Sequence, residues 1–458
     1  MRIVGARIMF VAWSVAVLAV APVAAQSRNP FLGSIPSPAE PAAPLSLSID
    51  EAIERGLRYN LGVIESDHVT ADARATRLSA LAALLPTVTA RAAQVFERLS
   101  LKEVGLTLPG VPSVTDPFQF QDVRVAVSQS IYSAELRHRY HAETSAEQAA
   151  SLSARDARDT VVFTVGAAYL QIQANVARLD TALAQLASAQ ELDRLSADRL
   201  RAELAPEIDA LRAHVERQTA EQRVINARND LDKSKAALAR AIGLRVDHRL
   251  IVDAPAPFRS PSASEAAATD AALRSRADLA SAQAAVAAAE SSSRAAGAER
   301  YPTVGVNADY GGGGDHTAFN QLYTVTAGVS VPLYTGGRIH ADMLKAENDL
   351  ARRRAEYDDL KGRVVYDVHV AWLDLGAATT SLTVAESNKA LADRALVQAQ
   401  DRYANGVTNY LEVVDAQEAV VQANENFVAN TYAVNVAKLA LARAIGGADQ
   451  SVKELFRP

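Results

Sequence analysis

The chain is built twice over, and this limits its folds more than any single motif does. Tyr169-Leu170 returns as Trp372-Leu373, Ser130-Ile131-Tyr132 as Pro332-Leu333-Tyr334, and Ala241-Ile242-Gly243 as Ala444-Ile445-Gly446, each 202 or 203 residues on. Leu85-Pro86-Thr87-Val88 is answered by Tyr301-Pro302-Thr303-Val304. Self-similarity of this kind means one supersecondary unit used twice, so any fold must suit both halves. Within each half the pattern reads helix, strand, strand, long helix, turn, helix.

The long helices dominate. Residues 135–203 and 337–404 contain no proline, and at ~1.5 Å per residue each reaches on the order of 100 Å, well beyond helices of globular domains. Val165, Ile172, Leu179 and Leu186 fall seven apart, with Tyr169, Val176 and Leu183 as a second seam. Val413, Val420, Phe427, Val434 and Leu441 repeat the spacing, and Ala416, Ala423, Asn430, Ala437 and Ala444 run beside them. Such heptads specify coiled-coil packing, and the small residues let backbones approach closely. Aromatics are only 5% of the chain, in keeping with helices packed at close quarters rather than a broad globular core. An earlier helix is expected from Leu45 to about Leu85, with Ser48 and Glu51 as a capping box and Pro86 as its stop.

Four segments switch to period two. Val123, Val125, Val127, Gln129 and Ile131 alternate with Asp122, Arg124, Ala126, Ser128 and Ser130, giving one apolar and one polar face. The strands expected are about 87–97, 121–132, 303–311 and 322–334, each near the ~9–11 residues of a tilted membrane-spanning strand. Gly311 to Gly314 falls in the 311–320 stretch, expected to be an external hairpin loop; it lacks the lysine and helix of a phosphate site. Tyr132, Tyr310, Tyr323 and Tyr334 lie near strand ends, where an aromatic girdle belongs. Four amphipathic strands cannot enclose a pore, and an open edge in lipid leaves backbone groups unpaired, so closure has to come from other copies.

Arg2 and Arg7, the apolar run Ile8 to Val20, and Val23-Ala24-Ala25 read as a signal peptide over 1–25 with cleavage before Gln26. Residues 26–44, with Pro30, Pro36, Pro38, Pro41 and Pro44, form a proline-rich leader. There is no cysteine, hence no disulfide framework, thiol-ligated metal or lipidated N-terminal cysteine. The net charge of -6 argues against nucleic acid. No HExxH, nucleophile elbow, P-loop or dinucleotide fingerprint occurs, so no enzyme, catalytic residue or cofactor is expected, and His138 and His141 read as surface histidines rather than a metal site.

Two stretches carry a family resemblance: Val331-Pro332-Leu333-Tyr334-Thr335-Gly336-Gly337-Arg338, where the fourth strand meets a long helix, and Arg402-Tyr403-Ala404-Asn405-Gly406-Val407-Thr408-Asn409-Tyr410-Leu411-Glu412-Val413-Val414-Asp415-Ala416-Gln417. In two correctly ordered halves, from about Leu45 to Gly446, the chain resembles the TolC family of outer-membrane efflux proteins. The resemblance implies a mainly α chain with a membrane β-barrel part. Three copies would share one barrel of about 12 strands, above a periplasmic tunnel of antiparallel coiled coils. The repeats would span 45–244 and 267–446, with a linker or equatorial segment at 245–266 and a C-terminal tail at 447–458. The implied partners are two further copies of the chain, outer-membrane lipid, a periplasmic adaptor protein and, through it, an inner-membrane pump. The implied function is a passive duct for small molecules. The alternatives are a duct for type I protein secretion and a surface coiled-coil adhesive or structural protein, which leaves the paired strands unexplained.

The same resemblance assigns site residues. Asp209, Tyr403, Glu412 and Asp415 map to a periplasmic gate. Ala205, Pro206 and Glu207 in one turn, and Asn405, Gly406, Val407 and Thr408 in the other, map to an adaptor-docking tip. Pro332, Leu333, Tyr334, Gly336 and Gly337 form the strand-to-helix motif. Thr408 stands where the family pattern carries an arginine, and Arg402 is the candidate to replace it.

Overall fold

The computed structural model describes residues 29–36, 45–103, 105, 109–110, 112–253, 264–315, 319–408 and 410–447. The signal peptide reading, most of the leader, the middle of the 245–266 linker and the tail beyond Gly447 lie outside the described residues.

The first half comprises β1 (Leu45–Leu47), α1 (Ile49–Tyr59), α2 (Leu61–Ala82), β2 (Thr87–Glu97), β3 (Phe118–Tyr132), α3 (Ala134–Arg201) and α4 (Glu207–Ala241). The second comprises β4 (Leu250–Val252), α5 (Glu265–Ser275), α6 (Ala277–Ala298), β5 (Thr303–Gly314), β6 (Phe319–Ser330), α7 (Arg338–Ala404) and α8 (Tyr410–Ile445). The repeat holds in length as well as order. α1 and α5 have 11 residues, α2 and α6 have 22, α3 and α7 have 68 and 67, and α4 and α8 have 35 and 36.

The first helix differs from the reading over 45–85. Leu45–Leu47 is extended and pairs in parallel with β4, and α1 starts at Ile49 behind the Ser48–Glu51 capping box. The helix then breaks at Asn60, whose ψ of 134° leaves the helical region. Asn60 is fully buried. Its Oδ1 accepts from the Gly62 N–H at 2.9 Å, while its Nδ2 donates to Phe31 O at 2.8 Å and Ala241 O at 3.2 Å. An asparagine side chain that bonds backbone in this way competes with the helix ladder. In the second half the break falls at Arg276, which pairs with Asp278 at 2.6 Å and Asp367 at 3.0 Å.

β2, β3, β5 and β6 form one antiparallel sheet in that order. β3 begins at Phe118 rather than 121. β5 runs through Gly314, and the glycines expected in a loop pair instead with Gln121–Arg124. A Cβ on Gly311 would lie 2.0 Å from Val123 O, so the two backbones approach closely there because the residue has no side chain. β6 covers Phe319–Ser330 instead of 322–334. It ends before Pro332, which has no N–H to give a ladder. One face carries a charge ladder across three strands: Asp122 pairs with Arg91 at 3.1 Å and Arg124 at 2.7 Å, and Arg124 reaches Asp309 at 3.1 Å. The other leaves Val123, Val125 and Val127 exposed. β2 and β6 are the sheet's two edges and do not meet.

α3 packs along α2, α4, α6 and α8, and α7 packs along α6 and α8. The largest core gathers where α1, α3, α4, β1 and β4 converge. At its centre the Tyr169 hydroxyl donates to Leu47 O at 2.9 Å and accepts from the Asp253 N–H at 3.0 Å. Burial pushes that phenol up to about 12. A smaller core sits far along the hairpins, where α3 meets α4 and α7 meets α8.

Candidate functional site at the hairpin turns

The two hairpin turns are built alike. α3 ends at Arg201 and the Leu204 N–H returns to Arg199 O at 2.9 Å; α7 ends at Ala404 and the Val407 N–H returns to Arg402 O at 2.9 Å. Each closure spans five residues, as in a Schellman cap, and puts the residue before it in the left-handed region. That residue is Gly406 in the second turn (φ 72°) and Glu203 in the first (φ 59°), the one non-glycine with positive φ among the described residues. Pro206 then caps α4, and Glu207 and Asp209 occupy its first turn, where the helix dipole favours a carboxylate. Pro206, Glu207, Asn405, Gly406 and Val407 are exposed, and Ala205 and Thr408 are half-buried.

Behind the turns lies a buried aromatic pair. The Tyr403 and Tyr410 rings meet edge-on at 5.6 Å between centroids, packed with Leu192, Ala213, Ala399 and Val413. The Arg199 guanidinium sits 4.5 Å over the Tyr403 ring and donates to Tyr403 O at 3.0 Å and Ala404 O at 2.7 Å. It therefore caps the C-terminus of α7 from a different helix, with a cation at the end where the dipole favours one. The Tyr403 hydroxyl is buried with no hydrogen-bond partner among the described residues. Burial, reinforced by Glu216 and then by Tyr403, Asp193 and Asp209, pushes the Tyr410 phenol up.

The expected gate residues fall into two places. Asp209 and Tyr403 are buried inside this cluster, with Arg212 at 3.9 Å from Asp209. Glu412 and Asp415 lie on α8 outside it. Glu412 pairs with Arg402 at 3.1 Å and accepts from the Thr408 hydroxyl. Asp415 is exposed and has no ion pair among the described residues. The strand-to-helix motif is at the far end of α7, where Gly336 and Gly337 both take positive φ and Leu333 and Tyr334 are 94% and 90% exposed.

Sequence reasoning passed over Arg199 and Tyr410. The repeat itself held the signal for the first, since Arg199 and Asp209 precede Arg402 and Glu412 by 203 residues each. In the second half these two positions bond each other, whereas in the first Arg199 crosses to α7.

Residues 268–447 match the outer membrane efflux protein family. The match covers the second half, and the first half repeats its elements in the same order and lengths. The outer membrane efflux protein BepC of Brucella suis is 28% identical over 265 residues, 57% of this chain and 58% of BepC. The pyoverdine export outer membrane protein OpmQ of Pseudomonas putida is 27% identical over 191 residues, 39% of each chain. The chain thus spans little more than half the length of these relatives, or less. The fold is shared along nearly the full length with solved structures. The outer membrane protein VceC of Vibrio cholerae superposes with a TM-score of 0.77 at 20% identity, over 87% of this chain and 96% of VceC. A membrane protein from Pseudomonas aeruginosa gives 0.79 at 19% identity, over 91% and 97%. Both relatives are named as outer membrane proteins.

Proposed function

We propose that the chain is the outer-membrane duct of a tripartite efflux system, a passive homotrimer that carries small molecules from a periplasmic entrance to the outside. The observation that carries this reading is the four-stranded sheet with two free edges, standing on helical hairpins of about 100 Å. Such a sheet is tolerable in lipid only when its edges are paired. β2 and β6 run antiparallel in an even-stranded sheet, so β6 of one copy can continue into β2 of the next without breaking the pattern. Three copies give about 12 strands. Exposed Leu204, Ile208, Leu211 and Val215 on one hairpin, and Leu373, Val384, Leu391 and Val397 on the other, supply apolar seams for neighbouring copies.

The hairpin turns are then the periplasmic entrance. Threefold symmetry turns Glu412 and Asp415 into rings of carboxylates, with Asp209 and Tyr403 behind them, and the exposed turn residues face a periplasmic adaptor. Energy comes from an inner-membrane pump reached through that adaptor. The test is planar-bilayer recording of the purified mature protein beside Glu412→Gln/Asp415→Asn. The native duct is expected to give small cation-selective openings, and the doubly neutral variant a loss of at least about twofold in selectivity. A conducting trimer indifferent to the substitutions removes the acidic entrance, and absence of conductance removes the duct.

A further inference from the structure

The two middle strands of the sheet fall out of step at one place. β3 and β5 pair residue for residue from Gln121–Gly314 to Ser130–Gly305, and then Tyr132, not Ile131, pairs with Val304. Ile131 is thus an extra residue, a bulge of the kind that re-aims a side chain. Without it Tyr132 would continue the polar face of Ser128 and Ser130. With it Tyr132 joins Val304 and, through the register of β5 and β6, Val329 on the apolar face. The other end of that face carries exposed Phe96 and Phe319. Phe319 pairs with Gly314 and Tyr132 with Val304, ten residues apart on β5. At ~3.4 Å per residue and a tilt of ~40°, the two aromatic levels stand about 26 Å apart, which matches the ~25 Å apolar band of an outer-membrane barrel. Because β3 and β5 are not edge strands, copies joined at β2 and β6 leave this face to lipid.

At the helical end of the band two arginines stand over aromatic rings. The Arg137 guanidinium, in the first turn of α3, lies 6.0 Å from the centroid of Tyr132. That of Arg300, just past α6, lies 5.3 Å from the centroid of Tyr301, and its Nη2 is 3.4 Å from the Tyr301 hydroxyl. β3 runs into α3 and α6 runs into β5 at this same end of the sheet, so the two units share one rim. All four residues are exposed, and neither arginine has an ion pair among the described residues. The acids of the rim are otherwise engaged or turned away. Glu299 and Asp342 pair with Arg338 at 2.7 and 2.9 Å, and Glu135, two residues before Arg137, projects from another side of the helix. An arginine in water needs no partner. One held on a ring where the apolar band ends lies at the depth of lipid phosphates, and its planar fork fits their oxygens.

We propose that this rim binds the headgroup of an anionic phospholipid of the periplasmic leaflet: its phosphate accepts from Arg137 and Arg300, and its acyl chains lie along Ile131, Val304 and Val329. The two positive charges favour a headgroup of net negative charge over a zwitterion, whose ammonium they repel. The inference rests on the duct reading, which sets the sheet in the outer membrane.

The probe is dioleoyl phosphatidylglycerol, added to the purified mature protein in an uncharged maltoside detergent, with zwitterionic dioleoyl phosphatidylcholine as its comparison. Retained lipid is read by native mass spectrometry. Phosphatidylglycerol is expected to be retained at least about fivefold better. Arg137→Gln should lower that preference at least about twofold, and Arg137→Gln/Arg300→Gln should abolish it. Tyr132→Leu, which frees Arg137 from its ring, should lower it about twofold. Arg139 is exposed and lies ~200° round α3 from Arg137, so Arg139→Gln removes the same charge and should leave the preference unchanged. The substituted side chains are all exposed, so the variants keep the fold. Equal retention of the two lipids, a preference unmoved by the double variant, or one lowered as much by Arg139→Gln overturns the proposal. Displacement of the lipid by inorganic phosphate overturns it too, by making the rim a site for free anions. Retention is read without conductance. A chain that binds phosphatidylglycerol here but does not conduct refutes the duct alone, and one that conducts with no headgroup preference refutes the lipid site alone.

Discussion

Arg199 and Arg402 hold the same place in the repeat but satisfy different partners. Arg402 stays within its own turn on Glu412, while Arg199 reaches across to the last carbonyls of α7 and covers the Tyr403 ring. Hydrogen bonds from a charged donor contribute about 1.5–3 kcal/mol each, and a cation over an aromatic face adds ~0.5–2 kcal/mol. A single side chain is thus the main polar tie between the end of α3 and the second turn. Arg199→Ala is expected to leave the fold intact while freeing that turn, with faster protease nicking at 405–408 and a severalfold rise in resting conductance. Arg199→Lys keeps the charge but loses the planar fork and should recover only part of the native behaviour. Unchanged nicking and conductance in the alanine variant would show that the aromatic packing alone holds the turn.

At the scale of elements, what the sequence made legible follows from periodicity. The heptads from Val165 and from Val413 and the alternation from Val123 to Ile131 are local signals, and α3, α8 and β3 lie where they point. The misses come from interactions that periodicity does not carry. Asn60 is one polar residue in a helical pattern, and the carbonyl that holds it belongs to Ala241, 181 residues away. Gly311 to Gly314 have no side chains with which to show a period of two, and only their closeness to β3 explains the strand. The second turn was readable from the motif beginning at Arg402, whereas the cross-helix contact of Arg199 depends on how α3 packs beside the end of α7. The Asn60 junction is open to a direct test. Asn60→Ala removes an acceptor and two donors from buried backbone groups, and each orphaned group costs about 1–3 kcal/mol. Three such groups sum to about 3–9 kcal/mol, and because the Phe31 carbonyl is only part-buried the expected loss is near the lower end, roughly 3–5 kcal/mol, seen as a lower melting temperature. Asn60→Asp keeps the acceptor for the Gly62 N–H but sets a buried carboxylate against the Phe31 and Ala241 carbonyls, so at neutral pH it should cost at least as much as alanine and recover in part as acid protonates the carboxyl. A melt that does not move would mean that Phe31 and Ala241 find water or other partners when the helix break relaxes.

For the whole molecule, the question is how the free edges are paired. The chain has no cysteine, so introduced pairs report contacts without background. Within one protomer β2 and β6 are separated by β3 and β5, and three strand spacings amount to about 14 Å. A disulfide needs Cα atoms within ~7 Å, which rules out a bond inside one chain. Ala90 on β2 shares a face with Val125, Tyr310 and Tyr323 through the register of the sheet. Side chains alternate along a strand, so Val325, Ala327 and Val329 lie on that face too. Ala90→Cys is therefore combined in turn with a cysteine at Tyr323, Val325, Ala327 or Val329, a series that scans the stagger a barrel imposes between its first and last strands. If three copies close the sheet, one or two adjacent positions should give a covalent trimer under oxidation, and no larger species. A ladder of dimers, trimers and higher forms would mean that the edges join without closing, as in a filament. No cross-link at any position would mean that β2 and β6 do not meet, and the strands would then need some other cover in the membrane.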